Sequence, residues 1–526
     1  MKNIKTILIT AAAALTFASC NDYLDINPEN SLPTDKMWSN KSDVESALFS
    51  GYYNLREAIT THLLPLGELR AGCIYRNSNS DLEKFQLKST SGTFTDWKVF
   101  YKIIADANGV IKNVRKAQGN DETYRESEVN SHLCEAYFLR ALSYFYIVKN
   151  WRDAPLLTEP FETDEANYYV EKSSEEAIMA QIKQDLNTAI SLGAAKTSFD
   201  TTWETKGRAT VWALYALMSD VCLWNHDYDE AIKYADMLLQ SKSDEAPSFI
   251  ETANHGSWFA IFNPGNSKES IFELQYSALK NNGTALQTNT LPYLFPATRP
   301  TSVIYNYYML SSALLRQIDS DANNIGLRYN EDPDMFVRTR WGTTNALPNS
   351  GTPAFIWKYI GGSTTSEPRT SSNYDPNFII YRVSEVMLIK AEALLMREMG
   401  NNAGDNEQVL EILNKIRKRT NLQELNLTSS STLTELVDAL LYERIMEFVA
   451  EGKAWYDLLR MGRYTDPEGN IDFVQDVFIT NVQKYNAIAG GSKIKSTLLD
   501  KNAWYLPINE TEITRNPLLV QNPYYE

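Results

Sequence analysis

The sequence predicts a mainly α protein: a scaffold of packed helix pairs, interrupted once by an irregular subdomain with short strands. Three observations carry that prediction. Apolar residues recur at helical spacing behind recognisable caps over about 41–241 and 377–460, and one helix–turn–helix stretch near 211–238 has repeat character. Between them, residues 242–376 replace the helical pattern with Gly, Pro, Asn, Ser and Thr around short extended runs.

Residues 1–19 precede the scaffold as a signal peptide. Lys2 and Lys5 lead into an apolar run from Ile7 to Ala18, too short to anchor in a bilayer. Phe17-Ala18-Ser19-Cys20 resembles a relaxed lipobox, which makes Cys20 the predicted lipidated N-terminus. No later segment approaches the roughly 18 uninterrupted apolar residues of a membrane helix, so lipid is the expected attachment.

Helices follow in order. Ser42 and Glu45 read as a capping box ahead of the stripe Val44, Leu48, Tyr52 and Leu55. Trp97 to Val114 buries Phe100, Ile103, Ile104, Ala107 and Ile111. Cys134 to Trp151 is apolar nearly all round and belongs inside a helical layer. Ser173 and Glu176 open a fourth helix that stops at Gly193. Val211 to Trp224 and the helix starting at Tyr228 resemble a tetratricopeptide unit through Tyr215, Ser219, Tyr228 and Ala231, although Cys222 and His226 replace the usual aromatic and glycine. Glu385 to Arg397 and Asn406 to Lys418 form another pair, and a last helix starts at the Thr432 and Glu435 capping box. Ser270 to Gln275 and Ala354 to Tyr359 read as extended runs of the inserted subdomain, which is too long for a loop within one repeat array.

Composition narrows the function. A net charge of -16 argues against nucleic acid, which needs clustered Lys and Arg. The 30 Tyr and 11 Trp favour sugar binding at a wet surface, because an aromatic with a polar edge suits the apolar C–H face of a sugar ring. Cys73, Cys134 and Cys222 form no disulfide framework or metal spacing.

The segments CNDYLDINP, EAYFLRALSYFYIVKNWRDAPLLT from Glu135, RVSEVMLIKAEAL from Arg382, LNKIRKR from Leu413, ERIMEFVAEGKAWYDLLRMG from Glu443 and AWYLPINETEITRNPLLVQNPYY are similar to SusD/RagB family segments and stand in that family's order. The resemblance implies one SusD-like domain over 20–526. Its implied parts are a scaffold of four tetratricopeptide-like helix pairs at about 41–241 and 377–460, a ligand-binding cap at about 242–376 and an irregular C-terminal segment at 461–526. It further implies a lipid-anchored protein on the outer face of the outer membrane that gives oligosaccharide to a SusC-like TonB-dependent transporter.

Within those segments, Arg140 on an apolar helix requires a partner. Glu443, Arg444 and Glu447 can pair with one another along one helix, Gly452 suits a tight turn and Trp455 a core contact. All of these read as architecture.

Nothing in the chain spells catalysis, and no cofactor is expected. His62, His132, His226 and His255 are scattered and read as surface or turn residues, and Gly490-Gly491-Ser492-Lys493 lacks phosphate-loop spacing. Asp319-Ser320-Asp321 begins like a calcium loop but lacks the glycine and the twelfth-position glutamate, so no metal is expected. Asp332 and Asp334 beside Pro333 read equally as glycosidase carboxylates and as turn formers. Ligand-binding candidates are Arg70, Tyr75, Arg76 and Asn77 in the loop after the first helix, a place where family members similarly put part of their site. Tyr293, Arg299, Tyr305, Arg340 and Trp341 in the insert complete the set. Trp97 and Tyr101 read as core; Trp357 and Tyr359 stand as core or site alike. The alternative function is a tetratricopeptide-type lipoprotein whose groove binds protein or peptide; a hydrolase would instead need convergent carboxylates of raised pKa.

Overall fold

The computed structural model describes residues 37–76, 80–162, 167–252, 255–281, 284–287, 308–311, 314, 337–338, 355–361, 375–419 and 422–526. Ten helices form the frame: α1 (Lys41–Glu57), α2 (Lys98–Asn120), α3 (Glu126–Trp151), α4 (Glu175–Ser191), α5 (Val211–Trp224), α6 (Tyr228–Leu239), α7 (Val383–Arg397), α8 (Ala403–Arg419), α9 (Leu433–Phe448) and α10 (Ala454–Gly462). Each packs on the next from α1 through to α8, and α9 packs on α7 and α10, so one core runs unbroken through the stack. That continuity is what a repeat array needs, since no single pair can bury both of its faces.

Local chemistry sets the helix ends. Thr432 Oγ1 accepts the Glu435 N–H at 3.3 Å while Glu435 accepts the Thr432 N–H at 2.8 Å, the expected reciprocal cap. Two other starts lie one or two residues from their predicted caps. Asn40, not Ser42, caps α1 by accepting the Asp43 N–H. Ser174 caps α4, because Ser173 is spent in a two-residue strand against Ala154–Pro155. Helix α3 begins eight residues before Cys134: its first turns are polar and held by the Arg125–Glu128 backbone cap, so the apolar run marks only its interior.

The insert is rooted in the core. Strand β2 (Ser270–Leu274) pairs antiparallel with β4 (Phe378–Arg382), and every residue of both is buried. Among the described residues of the predicted strand Ala354 to Tyr359, Phe355–Ile356 is extended and Trp357–Ile360 is a helical turn. Tyr359 is core: its hydroxyl donates to the Ala450 carbonyl at 2.9 Å. The segment after 460, expected to be irregular, is built of short helices including Phe473–Ile479, Thr480–Tyr485 and Gly491–Leu498. It closes on the end of α3, where the Leu506 N–H donates to the Asn150 carbonyl at 2.8 Å.

Charges inside the stack are paired. Arg140 makes a two-pronged bond to Asp185 at 2.8 and 2.6 Å and donates to Asn108 Oδ1. Glu443, Arg444 and Glu447 do not serve one another as expected but reach other segments. Arg444 meets Asp457 at 2.7 Å, Glu443 meets Arg417, and Glu447 meets both Arg382 and Arg419. His62 and His132 are also buried, contrary to a surface reading; His132 shares a hydrogen bond with the Tyr124 hydroxyl, and burial pushes its imidazole down to about 3. His226 keeps its turn role at φ 62°. Cys73, Cys134 and Cys222 are free and buried.

Candidate functional site

The loop after α1 and the insert, predicted separately to carry the site, meet in the fold. Strand β1 (Ile74–Arg76) pairs antiparallel with β3 (Tyr308–Leu310), in the register Ile74 to Leu310 and Tyr75 to Met309. The Ser311 N–H extends the ladder to the Cys73 carbonyl at 2.9 Å. Ile74, Tyr308 and Leu310 are buried; Tyr75, on the alternate face, is half-buried, and burial with help from Glu83 holds its phenol above the ordinary value. Arg76 lies in β1. Asn77, Tyr293, Arg299, Tyr305, Arg340 and Trp341 lie outside the described residues, as do Cys20, Asp319 to Asp321, Asp332 and Asp334. The side chain of Trp357 lies outside them too.

Arg70 departs from its expected role. It is 2% exposed, its guanidinium lies 4.0 Å over the Trp455 ring, and Nη1 donates to the Trp504 carbonyl at 2.7 Å. Burial brings its pKa down to about 10. A cation on an indole face inside the core supports the loop from beneath.

The same loop is pinned at several points. Glu68 Oε1 accepts the N–H groups of Gly452 and Lys453 at 2.8 and 3.2 Å. Asn486 Nδ2 donates to the carbonyls of Arg70 and Glu83. A side chain at Gly67 would stand 1.9 Å from the Gly452 carbonyl oxygen, so backbone meets backbone here. Such support holds the loop in place ahead of β1.

A second feature lies where β2 leaves the scaffold. The Arg56 guanidinium is 5.0 Å from the Tyr53 ring centre and 5.2 Å from that of Tyr276. Tyr53 is 53% exposed, and Phe49, one turn earlier on α1, is 48% exposed. The Tyr276 N–H donates to Asn377 Oδ1 at 2.9 Å, and Asn377 in turn donates to the buried Glu273. Gln275 packs on Gly207, one turn beyond Trp203, which is 56% exposed. Arg208 stacks on Phe49 and Phe199 while bound two-pronged to Glu135. Exposed rings on a rigid base, with a guanidinium between them, can stack a sugar face and meet its hydroxyl rim.

Sequence reasoning passed over this platform. Its signal was present: Phe49, Tyr53 and Arg56 are spaced i, i+4, i+7 and fall off the buried stripe of Leu48, Tyr52 and Leu55, so they share a solvent-facing side. Tyr276 has no such signal, because its approach to α1 depends on the path of the insert. The elements left as core by periodicity are core: Trp97 is buried against Trp151, and Tyr101 donates to the Pro155 carbonyl at 2.6 Å. Gly452, at φ 77°, makes the expected turn, and Trp455 is fully buried. Among the described residues no group of three or more His, Cys, Asp or Glu could hold a metal, and no helix is long and apolar enough to cross a membrane.

Comparison with known proteins gives this geometry its kin. The SusD family model matches residues 336–525, and a model described as starch-binding and associating with the outer membrane matches residues 22–223. A SusD-like protein of Formosa agariphila is 25% identical over 513 residues, covering 90% of this chain and 94% of its own length. A SusD-like protein of Bacteroides ovatus is 25% identical and covers 98% of this chain and 97% of its own. Among solved structures, a SusD superfamily protein from Bacteroides fragilis superposes with a TM-score of 0.70 at 21% identity, over 93% of this chain and 100% of that one. A laminarin-binding SusD-like protein superposes with a TM-score of 0.66 at 20% identity, over 93% and 100%. The helical stack, its rooted insert and both family models agree: this chain belongs to the SusD/RagB family.

Proposed function

We propose that this protein is a glycan-binding lipoprotein of the cell surface, lipidated at Cys20, that captures oligosaccharide and hands it to a SusC-like TonB-dependent transporter without transforming it. The platform of Tyr53, Arg56 and Tyr276 carries this reading, because an exposed ring and a half-buried one flanking a guanidinium on a pinned base match the chemistry of a sugar face and rim. The junction of β1 with β3 supports it by joining the loop of Tyr75 to a strand of the insert, the region to which Tyr293, Arg299, Tyr305, Arg340 and Trp341 belong in sequence. A laminarin-binding relative of the same fold points the same way. Against hydrolysis, the raised carboxyls Glu68, Glu273 and Glu385 are buried within the scaffold, and two others, Asp106 on α2 and Asp438 on α9, are raised by burial and not by a second carboxylate. Against a peptide groove, Lys183 beside Gln184 and Asn187 is already paired with Asp227 at 2.8 Å.

Stacking one sugar face covers ~100 Å² of apolar surface, worth about 2.5 kcal/mol at roughly 25 cal/mol per Å². Several platforms are therefore needed for useful affinity. Affinity electrophoresis against a glycan panel tests the reading. Tyr53→Ala, Tyr75→Ala, Tyr276→Ala and Trp341→Ala should each weaken binding by roughly ten- to fiftyfold, with the thermal stability of the exposed Tyr53→Ala variant unchanged. Unchanged binding in all four variants, or cleavage of a bound oligosaccharide, would overturn it.

A further inference from the structure

A cleft of about 820 Å³ lies between the loop 81–91, the start of the short helix Gly491–Leu498 and the C-terminal turn Pro523–Tyr525. Its lining includes Lys88, Lys493, Thr90, Ser91 and Tyr524, with Asp81 as the one acid among the lining side chains. Lys88 and Lys493 are both exposed, and neither ammonium has a carboxylate at ion-pair distance among the described residues. In a chain of net charge -16 the lining of this cleft carries two ammonium groups against one carboxylate.

The walls add to it. Tyr524 stands edge-to-face on Tyr525 at 4.9 Å, and the Tyr525 hydroxyl donates to the Tyr505 carbonyl at 3.1 Å, which fixes both rings. The half-buried Tyr524 ring is thus a firm stacking surface. Behind this wall lies Arg70, whose Nε and Nη2 have no hydrogen-bond partner. Burial raises the Tyr525 phenol to about 12 against the pull of that guanidinium, so the Arg70 charge is felt at the cleft wall.

From the cleft, its unpaired lysines and the unneutralised guanidinium behind them, we infer that this face is a second saccharide site that takes an acidic sugar, one bearing a carboxylate or sulfate. Lys88 and Lys493 meet the anionic group, the Tyr524 ring carries the sugar face, and Thr90 and Ser91 meet the hydroxyl rim. The site rests on the glycan-binding reading but does not use the platform of Tyr53, Arg56 and Tyr276.

The test titrates the full chain with trigalacturonate, a sulfated trisaccharide and a neutral glucose trisaccharide of equal length, at low and at near-physiological salt. At least one acidic probe should bind more tightly than the neutral one, and its affinity should fall as salt rises. Lys88→Gln with Lys493→Gln should cost that probe roughly three- to tenfold and remove most of its salt dependence, with the melting temperature and neutral binding unchanged. Tyr524→Ala should weaken the same probe. Neutral glycans binding with no preference for either acidic probe would refute this inference alone, as would an undiminished acidic preference in the double variant or attraction only to anionic lipid vesicles. Failure to bind every glycan would refute the broader reading as well.

Discussion

Glu68 supplies the sharpest quantitative test, because a carboxyl lies fully buried directly beneath the loop that carries Tyr75. Burial pushes it up to about 8 from an ordinary 4.5, although the N–H groups of Lys453 and Gly452 and the charge of Lys358 all pull it down. The folded state therefore binds a proton that the unfolded chain has already released throughout the interval from about 4.5 to about 8. Stability must fall as pH rises through that window, with the cost complete above it. A tenfold step in proton affinity is ~1.4 kcal/mol, so the gap corresponds to roughly 4–5 kcal/mol, which relaxation of the buried site trims to a few kcal/mol. Glu68→Gln keeps an oxygen to accept the Gly452 and Lys453 N–H groups and removes the charge. Denaturant unfolding of both proteins, followed by tryptophan fluorescence from about pH 5 to about pH 9, isolates this group, because other titrations cancel in the difference. The variant should match wild type at the acidic end and exceed it by a few kcal/mol at the alkaline end. Parallel curves, or a variant that is weaker at high pH, would show that Glu68 ionises freely in the fold.

Two further outcomes follow from the frame and its turns. Asp185→Ala strands the Arg140 guanidinium in the core and should cost about 3–5 kcal/mol in chemical unfolding, whereas Arg140→Met combined with Asp185→Leu should recover most of that loss. Gly452→Ala places a methyl group 2.6 Å from the Leu63 carbonyl oxygen at φ 77°, so it should lower stability by at least ~2 kcal/mol and loosen the Glu68 contact, detectable as faster amide exchange at Lys453.

Much of the scaffold was legible because helices are local objects. The Thr432 and Glu435 cap, the enclosed stretch of α3 and the contact at Ala231, fully buried between α5 and α6, are all decided by residues within a turn or two of one another. Even the need of Arg140 for a partner is local, since an isolated guanidinium on an apolar helix cannot remain unpaired.

Which partner it takes is not local. Asp185 lies 45 positions away, and any of the chain's 66 acids could have served until the path of α4 placed one there. The same ambiguity sent Glu443, Arg444 and Glu447 to Arg417, Asp457, Arg382 and Arg419, and put Arg70 against the buried Trp455 ring where a loop residue was expected to meet ligand. Sequence alone therefore determined the frame helices, through periodicity and capping, and its abundance of tyrosine and tryptophan pointed to the class of chemistry. Tertiary structure decided which rings reach solvent and which charges meet, because those depend on chain path over tens to hundreds of residues, as when Tyr276 arrives beside Tyr53.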